Sequence, residues 1–158
     1  MRIGQSTDIH AFIEGRPLIL GGVTIEHPLG LLGHSDADVL LHAICEAIIG
    51  AMGLGDIGKH FPDTDPSYKG ISSLILLEKT WQLMNSEGYQ LVNLDSLILI
   101  EKPKIAPYIE EMKRNISSAL RCDDSQVNVK ATRGEKLGFI GRQEGVMAQA
   151  IVLLERKV

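Results

Sequence analysis

The chain is poor in cysteine, in aromatic residues and in surplus charge of either sign, and each shortage excludes something. Cys45 and Cys122 are the two cysteines in 158 residues. They form no Cys-x-x-Cys and are too few for a disulfide framework, so two reduced thiols in a cytoplasmic protein are expected. Aromatic residues make up 4%, with Trp81 the single tryptophan, which leaves no evident platform for stacked bases. Lys and Arg number 16 against 20 Asp and Glu, a formal net charge of −4, and a dedicated nucleic-acid binder would carry a basic excess. No apolar run approaches the ~20 residues of a bilayer span. Met1-Arg2-Ile3-Gly4 leads directly into patterned sequence without an apolar leader, so neither a membrane nor a secretory route is expected.

What is there suits one folded domain over residues 1–158. Hydrophobic residues are 44% and charged residues 23%, an ordinary globular balance, and the length matches one domain of ~150 residues. Residues 2–12 pattern as a strand, residues 17–25 as two short strands around Gly21-Gly22, and residues 91–100, 127–131 and 146–154 as further strands. Helices are expected from Ser35 or Asp36 to about Met52, stopping at Gly53, from about Ser72 to Ser86, and from Pro107 to about Leu120. The two prolines and two glycines of residues 55–67 predict a loop with no regular element. Intermixed strands and helices give an α+β class, a single domain with a mostly mixed sheet.

The last strand carries apolar residues on both faces, Val146, Ala148, Ala150, Val152 and Leu154 on one and Met147, Gln149, Ile151 and Leu153 on the other, Gln149 the one polar member. A sheet of that kind must be covered twice. Three helices can cover one face, so the other is expected to pack against sister subunits.

The chemistry-bearing residues begin with Asp8 and His10, two apart in a strand and so on one face. A carboxylate and an imidazole suit a divalent transition metal such as zinc, although this pair alone is more often just a solvated polar face. The first long helix is apolar nearly all round except for Asp38, His42 and Glu46, spaced i, i+4, i+8 along one side. A buried stripe of that composition needs partners. Either Asp38 and Glu46 merely bracket a satisfied histidine, or His42 is a metal ligand with Asp38 as its helper. If Asp8, His10 and His42 meet, three protein ligands with one open position make a catalytic rather than a structural zinc site.

Three other segments suit phosphate or polyol. His34 and Ser35 are expected at a helix N-terminus, which favours anions, or simply serve its capping. Asp56, Asp63 and Asp65 can accept from hydroxyls or do turn chemistry. The run Lys130-Ala131-Thr132-Arg133-Gly134-Glu135-Lys136 follows a strand, lacks P-loop spacing, and offers Glu135 to a hard cation or forms a mixed-charge surface loop.

Taken together, Asp8-Ile9-His10, residues 33–42 (GHSDADVLLH), residues 55–66 (GDIGKHFPDTDP), residues 127–132 (VNVKAT), Glu135-Lys136-Leu137-Gly138-Phe139 and Gly141-Arg142 closely resemble the 2-C-methyl-D-erythritol 2,4-cyclodiphosphate synthase family, across essentially the whole chain. The resemblance implies a homotrimer of α+β subunits, sheet faces packed around the threefold axis and active sites between subunits. It implies that 4-diphosphocytidyl-2-C-methyl-D-erythritol 2-phosphate is cyclised with release of CMP, that Asp8, His10 and His42 hold Zn²⁺ or another divalent transition metal, and that Glu135 holds Mg²⁺ or Mn²⁺ on the substrate diphosphate. By the same resemblance His34, as a catalytic residue, and Ser35 surround the phosphates, Asp56 and Gly58 hold the erythritol, and Ile57, Phe61, Asp63 and Asp65 are further substrate-binding positions. Ile100, Lys104, Ile105, Ala106, Ala131 and Thr132 form the cytidine side, with Phe139 and Arg142 toward the trimer axis. Two departures stand out. Ser6 and Thr7 replace a glycine and an aromatic, and Arg133 stands where relatives usually carry a second threonine thought to stabilise the transition-state phosphate. Arg133 would take that catalytic role with a fixed charge and forked donors, or point away.

Two other readings stay in view. A zinc phosphohydrolase would consume water, and a trimeric ligand-binding module with a structural metal would show no turnover.

Overall fold

The structure, a computed structural model, describes residues 1–158. The long strand β1 (Arg2–Ile13) is followed by β2 (Leu18–Leu20), β3 (Val23–Ile25) and β4 (Gly30–Leu31), then α1 (Val39–Met52), α2 (Ile57–His60) and α3 (Ser73–Ser86). Next come β5 (Tyr89–Leu99), α4 (Ile109–Leu120), β6 (Val127–Thr132), the single turn α5 (Gly138–Gly141) and β7 (Gly145–Arg156). One five-stranded sheet runs in the order β4-β1-β7-β5-β6, and β2 and β3 make a separate hairpin. All pairings in the large sheet are antiparallel except β5 with β6. The expected α+β class with a mixed sheet is what forms.

Period-two alternation sorts the sheet into two unlike faces. The inner face carries Val146, Ala148, Ala150, Val152 and Leu154 of β7, opposite Gly4 and Ser6 of β1 and Leu94, Ser96 and Ile98 of β5, all buried. Against it lies α1, whose eleven buried residues leave almost no polar side. Such a helix must be enclosed, and α1 is: β1 and β7 lie beneath it and α3 beyond it. Closeness is enforced at Gly4, where an added Cβ would sit 2.0 Å from the Ala47 carbonyl oxygen. With α4 over β6 and α3 against α4, the helices cover this one face.

The outer face has no cover within the chain. Ile3 is 72% exposed, Ile9 52% and Ile151 51%, a row of large apolar groups on β1 and β7 that one subunit leaves in water. This is the two-sided apolar character expected of β7.

Two local expectations are corrected. The first helix begins at Val39, not at Ser35 or Asp36, because Asp38 is the N-cap: its carboxylate accepts from Leu41 N. Ala37 just before it is left-handed, with φ 60°, which ends the preceding turn and lets a short polar side chain reach the helix N-terminus. The 55–67 segment is not pure loop. Asp56 caps α2 by accepting from Lys59 N, and Asp65 caps a 3₁₀ turn at Pro66–Tyr68 by accepting from Ser67 N. Pro66 sits at the start of its turn, where a missing N–H costs nothing. No helix is long and apolar enough to cross a membrane.

Candidate active site

Asp8 and His10 leave the inner face of β1 near its C-terminal end, where Asp8 pairs with Ala148 and His10 with Val146. His42 comes from the second turn of α1. Their ligand atoms form a small triangle. His10 Nε2 lies 3.0 Å from Asp8 Oδ2, His42 Nδ1 3.2 Å from the same oxygen, and the two ring nitrogens 3.2 Å apart. Ligands about 2.0–2.1 Å from a tetrahedral zinc stand about 3.3–3.4 Å from one another. The triangle therefore fits one face of such a tetrahedron, and Asp8, His10 and His42 all line the adjoining cavity.

The protons are arranged to suit a cation. His10 Nδ1 is bonded to the Leu32 carbonyl, so that nitrogen carries the hydrogen, and in the neutral ring Nε2 turns its lone pair toward the triangle. Gly33 keeps this corner tight, since a Cβ there would come within 3.0 Å of the His10 ring. Burial pushes the Asp8 carboxyl upward, but hydrogen bonds and charge from His10 and His42 outweigh it and hold the group well below the usual carboxylate range. Burial likewise works to lower the His10 pKa, and the Asp8 carboxylate, by hydrogen bond and by charge, turns the net shift upward. An ionised oxygen and two imidazole nitrogens aimed at one point demand either protons or a metal ion there.

The other two members of the α1 stripe face other partners. The Asp38 carboxylate is fully buried and accepts from Gly21 N at 3.0 Å, Gly22 N at 2.7 Å and Leu41 N at 3.1 Å. Burial pushes its pKa up to about 6 against those hydrogen bonds. It latches the β2–β3 turn to the start of α1 and does not touch His42. Glu46 accepts from Ser6 Oγ and from Ile57 N, tying β1 and α2 to the helix. The helper of His42 is found elsewhere: its Nε2 lies 3.0 Å from both Ser35 Oγ and Ser73 Oγ. Ser73, the first residue of α3, was not singled out in the sequence, because its partner lies 31 positions away.

The triangle opens into a cavity of about 360 Å³ whose lining includes His34, Ser35, Ile57, Phe61 and Asp63. Asp56 and Asp65 serve as caps there, as described above, and Gly58 lies in α2. A second cavity, about 680 Å³, lies at the same end of the sheet over β5 and β6. It is lined by Ile100, Lys104, Ile105, Ala106, Ala131 and Thr132, together with Arg133 and Glu135. Lys102 and Lys136 also line it, so four cations face it and none of them is in an ion pair. The backbone turns tightly at Glu135 and Lys136, both left-handed. Phe139 is half-buried in α5, and the Arg142 guanidinium is occupied by Glu144 at 2.8 Å. Within one chain the triad thus meets His34, Ser35, Ile57, Phe61 and Asp63, whereas Arg133 and Glu135 follow β6, three strands from β1 and about 14 Å away at the usual spacing, and the 100–106 segment follows β5, two strands away.

The YgbB family profile matches residues 1–155. Over 156 residues the chain is 61% identical to the 2-C-methyl-D-erythritol 2,4-cyclodiphosphate synthase of Geobacillus sp. (strain WCH70), covering 99% of each. It is 63% identical over 155 residues to that of Geobacillus thermodenitrificans (strain NG80-2), covering 98% of this chain and 97% of the relative. Among solved structures it resembles the bifunctional IspDF from Campylobacter jejuni, with a TM-score of 0.95 and 43% identity, spanning 99% of this chain but 42% of that longer one. It also resembles the Plasmodium falciparum IspF in complex with CDP, with a TM-score of 0.86 and 37% identity over 99% of this chain and 97% of that one.

Proposed function

The chain belongs to the YgbB family, and on that premise we propose that it is an enzyme converting 4-diphosphocytidyl-2-C-methyl-D-erythritol 2-phosphate to 2-C-methyl-D-erythritol 2,4-cyclodiphosphate with release of CMP, a step in isoprenoid precursor synthesis. The observation that carries the reading is the Asp8–His10–His42 triangle opening on a cavity of about 360 Å³ in a chain 61% identical to a named synthase of that reaction.

The reaction joins the 2-phosphate to the β-phosphorus of the same molecule and breaks the bond to CMP, so it is a cyclising phosphorus–oxygen lyase reaction that consumes no water. Ring closure inside one molecule calls chiefly for positioning. Asp8, His10 and His42 would hold the metal, zinc by donor set, which supplies Lewis-acid polarisation of a phosphate oxygen. His34 and the Ser35 hydroxyl offer donors to the phosphates at the cavity wall. Asp63 accepts from a hydroxyl of the erythritol, with Ile57, Gly58 and Phe61 beside it and Asp56 and Asp65 shaping the loop. Lys104 and Arg133 balance the negative charge of the diphosphate and departing CMP, and Glu135 would hold Mg²⁺ or Mn²⁺ against it. Ile100, Ile105, Ala106, Ala131 and Thr132 enclose the cytidine.

Because those two groups of residues line separate cavities, the complete site forms where the triad cavity of one subunit meets the cytidine cavity of another. The exposed Ile3, Ile9 and Ile151 supply the surface for a homotrimer with its axis against the outer sheet face, Phe139 and Arg142 lying toward it. The two free cysteines suit a cytoplasmic setting.

Incubation with the cytidyl substrate in ¹⁸O-labelled water, with and without chelator, tests the proposal by mass spectrometry. The expected products are unlabelled cyclic diphosphate and CMP, lost on chelation and regained with metal. Label in the product phosphate would reveal a hydrolase, and absence of turnover a binding module.

A further inference from the structure

His42 reaches the triangle through Nδ1, so something must hold a hydrogen on its Nε2 and set the plane of its ring. Two hydroxyls stand at 3.0 Å from that nitrogen, Ser35 Oγ and Ser73 Oγ. Their hydrogen inventories differ. A serine has one O–H to give, and that of Ser73 goes to the Asp36 carboxylate. Ser73 oxygen is therefore an acceptor toward His42. Asp36 is itself fixed, accepting from Ser73 N at 3.0 Å and Asp38 N at 3.2 Å, while its own N–H donates to the Ile71 carbonyl at 3.0 Å. Ser73 is fully buried. Ser35 Oγ accepts from Ala37 N at 3.1 Å, and with Nε2 protonated its hydroxyl hydrogen is left to face the cavity.

We infer that Asp36 and Ser73 form a carboxylate–hydroxyl–imidazole relay that fixes the tautomer and orientation of His42 as a metal ligand, making both of them positioning residues of the site. The inference rests on the proposed metal role of the triad. Metal-bound histidines generally give their second N–H to a carboxylate or carbonyl directly; here a serine at the first turn of α3 is interposed. The carboxylate polarises the Ser73 hydroxyl, which strengthens its acceptance from Nε2–H and makes Nδ1 a better donor. It also leaves the Ser35 hydroxyl to the substrate. The docking of α3 on α1 thereby becomes a condition of metal binding, although neither Ser73 nor Asp36 touches the ion.

The test uses the full chain carrying Ser73→Ala or, if that variant does not fold, Asp36→Asn, which keeps the side-chain volume. Affinities for Zn²⁺ and Co²⁺ are measured by chelator competition, alongside the visible absorption of the Co²⁺ form and the ¹⁵N shifts of His42 in the metal-free chain. Wild type should show Nε2–H, and Ser73→Ala should bind both metals about 10–100-fold more weakly, with a shifted Co²⁺ spectrum and mixed His42 tautomers. Asp36→Asn should fall between. Unchanged affinity, spectrum and tautomer, with only a lower melting temperature, would make the serine a purely structural contact and overturn the relay. His42→Ala keeps the two failures apart. If it binds metal as wild type does, the metal reading of the triad is what fails.

Discussion

At the residue scale, the triad decides most. Three donor atoms within about 3 Å of one another are stable only around positive charge, and a proton and a metal ion compete for the place. Loss of one ligand should cost more than the ~100-fold typical of outer partners. His42→Ala is expected to weaken zinc binding beyond that and abolish cyclisation, with the far-ultraviolet circular dichroism unchanged. The competition also sets a pH dependence. Metal needs His10 neutral, and although burial opposes it, Asp8 raises the His10 pKa above its usual 6.5 in the metal-free chain. Protons therefore displace metal at a higher pH than an ordinary imidazole would allow. Zinc affinity measured by chelator competition should fall steadily as pH drops from 8 to 6, and a flat profile would argue against Asp8 and His10 sharing the ion.

At the element scale, α1 is held by one buried carboxylate. Asp38 satisfies Leu41 N at the helix start and both glycine N–H groups of the β2–β3 turn. Its truncation removes an N-cap and leaves buried donors without acceptors, so Asp38→Ala should destabilise the chain by about 2–4 kcal/mol in urea unfolding. The charge has its own signature. Burial lifts the folded-state pKa to about 6, above the ordinary carboxylate value, so the folded chain binds the extra proton between the two. The stabilisation from that extra proton is thus fully present below the ordinary value of 3.8 and is lost as pH rises from there through about 6. Wild type should gain on Asp38→Asn by about 2–3 kcal/mol on going from pH 7 to pH 4, and the reverse slope would mean that the three hydrogen bonds outweigh burial. The local sequence signals at this scale read well where the cap is adjacent in sequence, as with Ser72 ahead of α3. They misplaced the start of α1 because Ser35, Asp36 and Asp38 are all competent caps, and the choice among them follows from their partners: Ser73 takes Asp36, Ala37 N takes Ser35, and the hairpin turn takes Asp38.

At the scale of the whole molecule, the uncovered sheet face and the divided site point to one assembly. Ile151→Glu places a carboxylate on the outer face between its cross-strand partners Gln5 and Asp95, at a position that lines neither cavity. By light scattering it should shift the proposed trimer to monomer and depress turnover more than 100-fold, while zinc binding by the triad stays close to wild type. A fully active monomer would mean that a single chain completes its own site.

From the order of residues alone came the long strands, the three main helices, the mixed α+β class and the Asp8–His10 pair, because all of these rest on short-range periodicity and on steric or capping preferences of neighbours. The motifs also pointed to the chemistry through family resemblance. Tertiary structure alone decided that His42 meets that pair through Nδ1, that its other nitrogen is served by Ser73 rather than Asp38, and that the triad and the Arg133–Glu135 turn line different cavities. Such facts depend on which hydrogen-bonding group of α3 or of the hairpin arrives at a given point on α1, and on how many strands separate two loops. No periodicity within a segment encodes either, because both follow from packing elements that lie far apart along the chain.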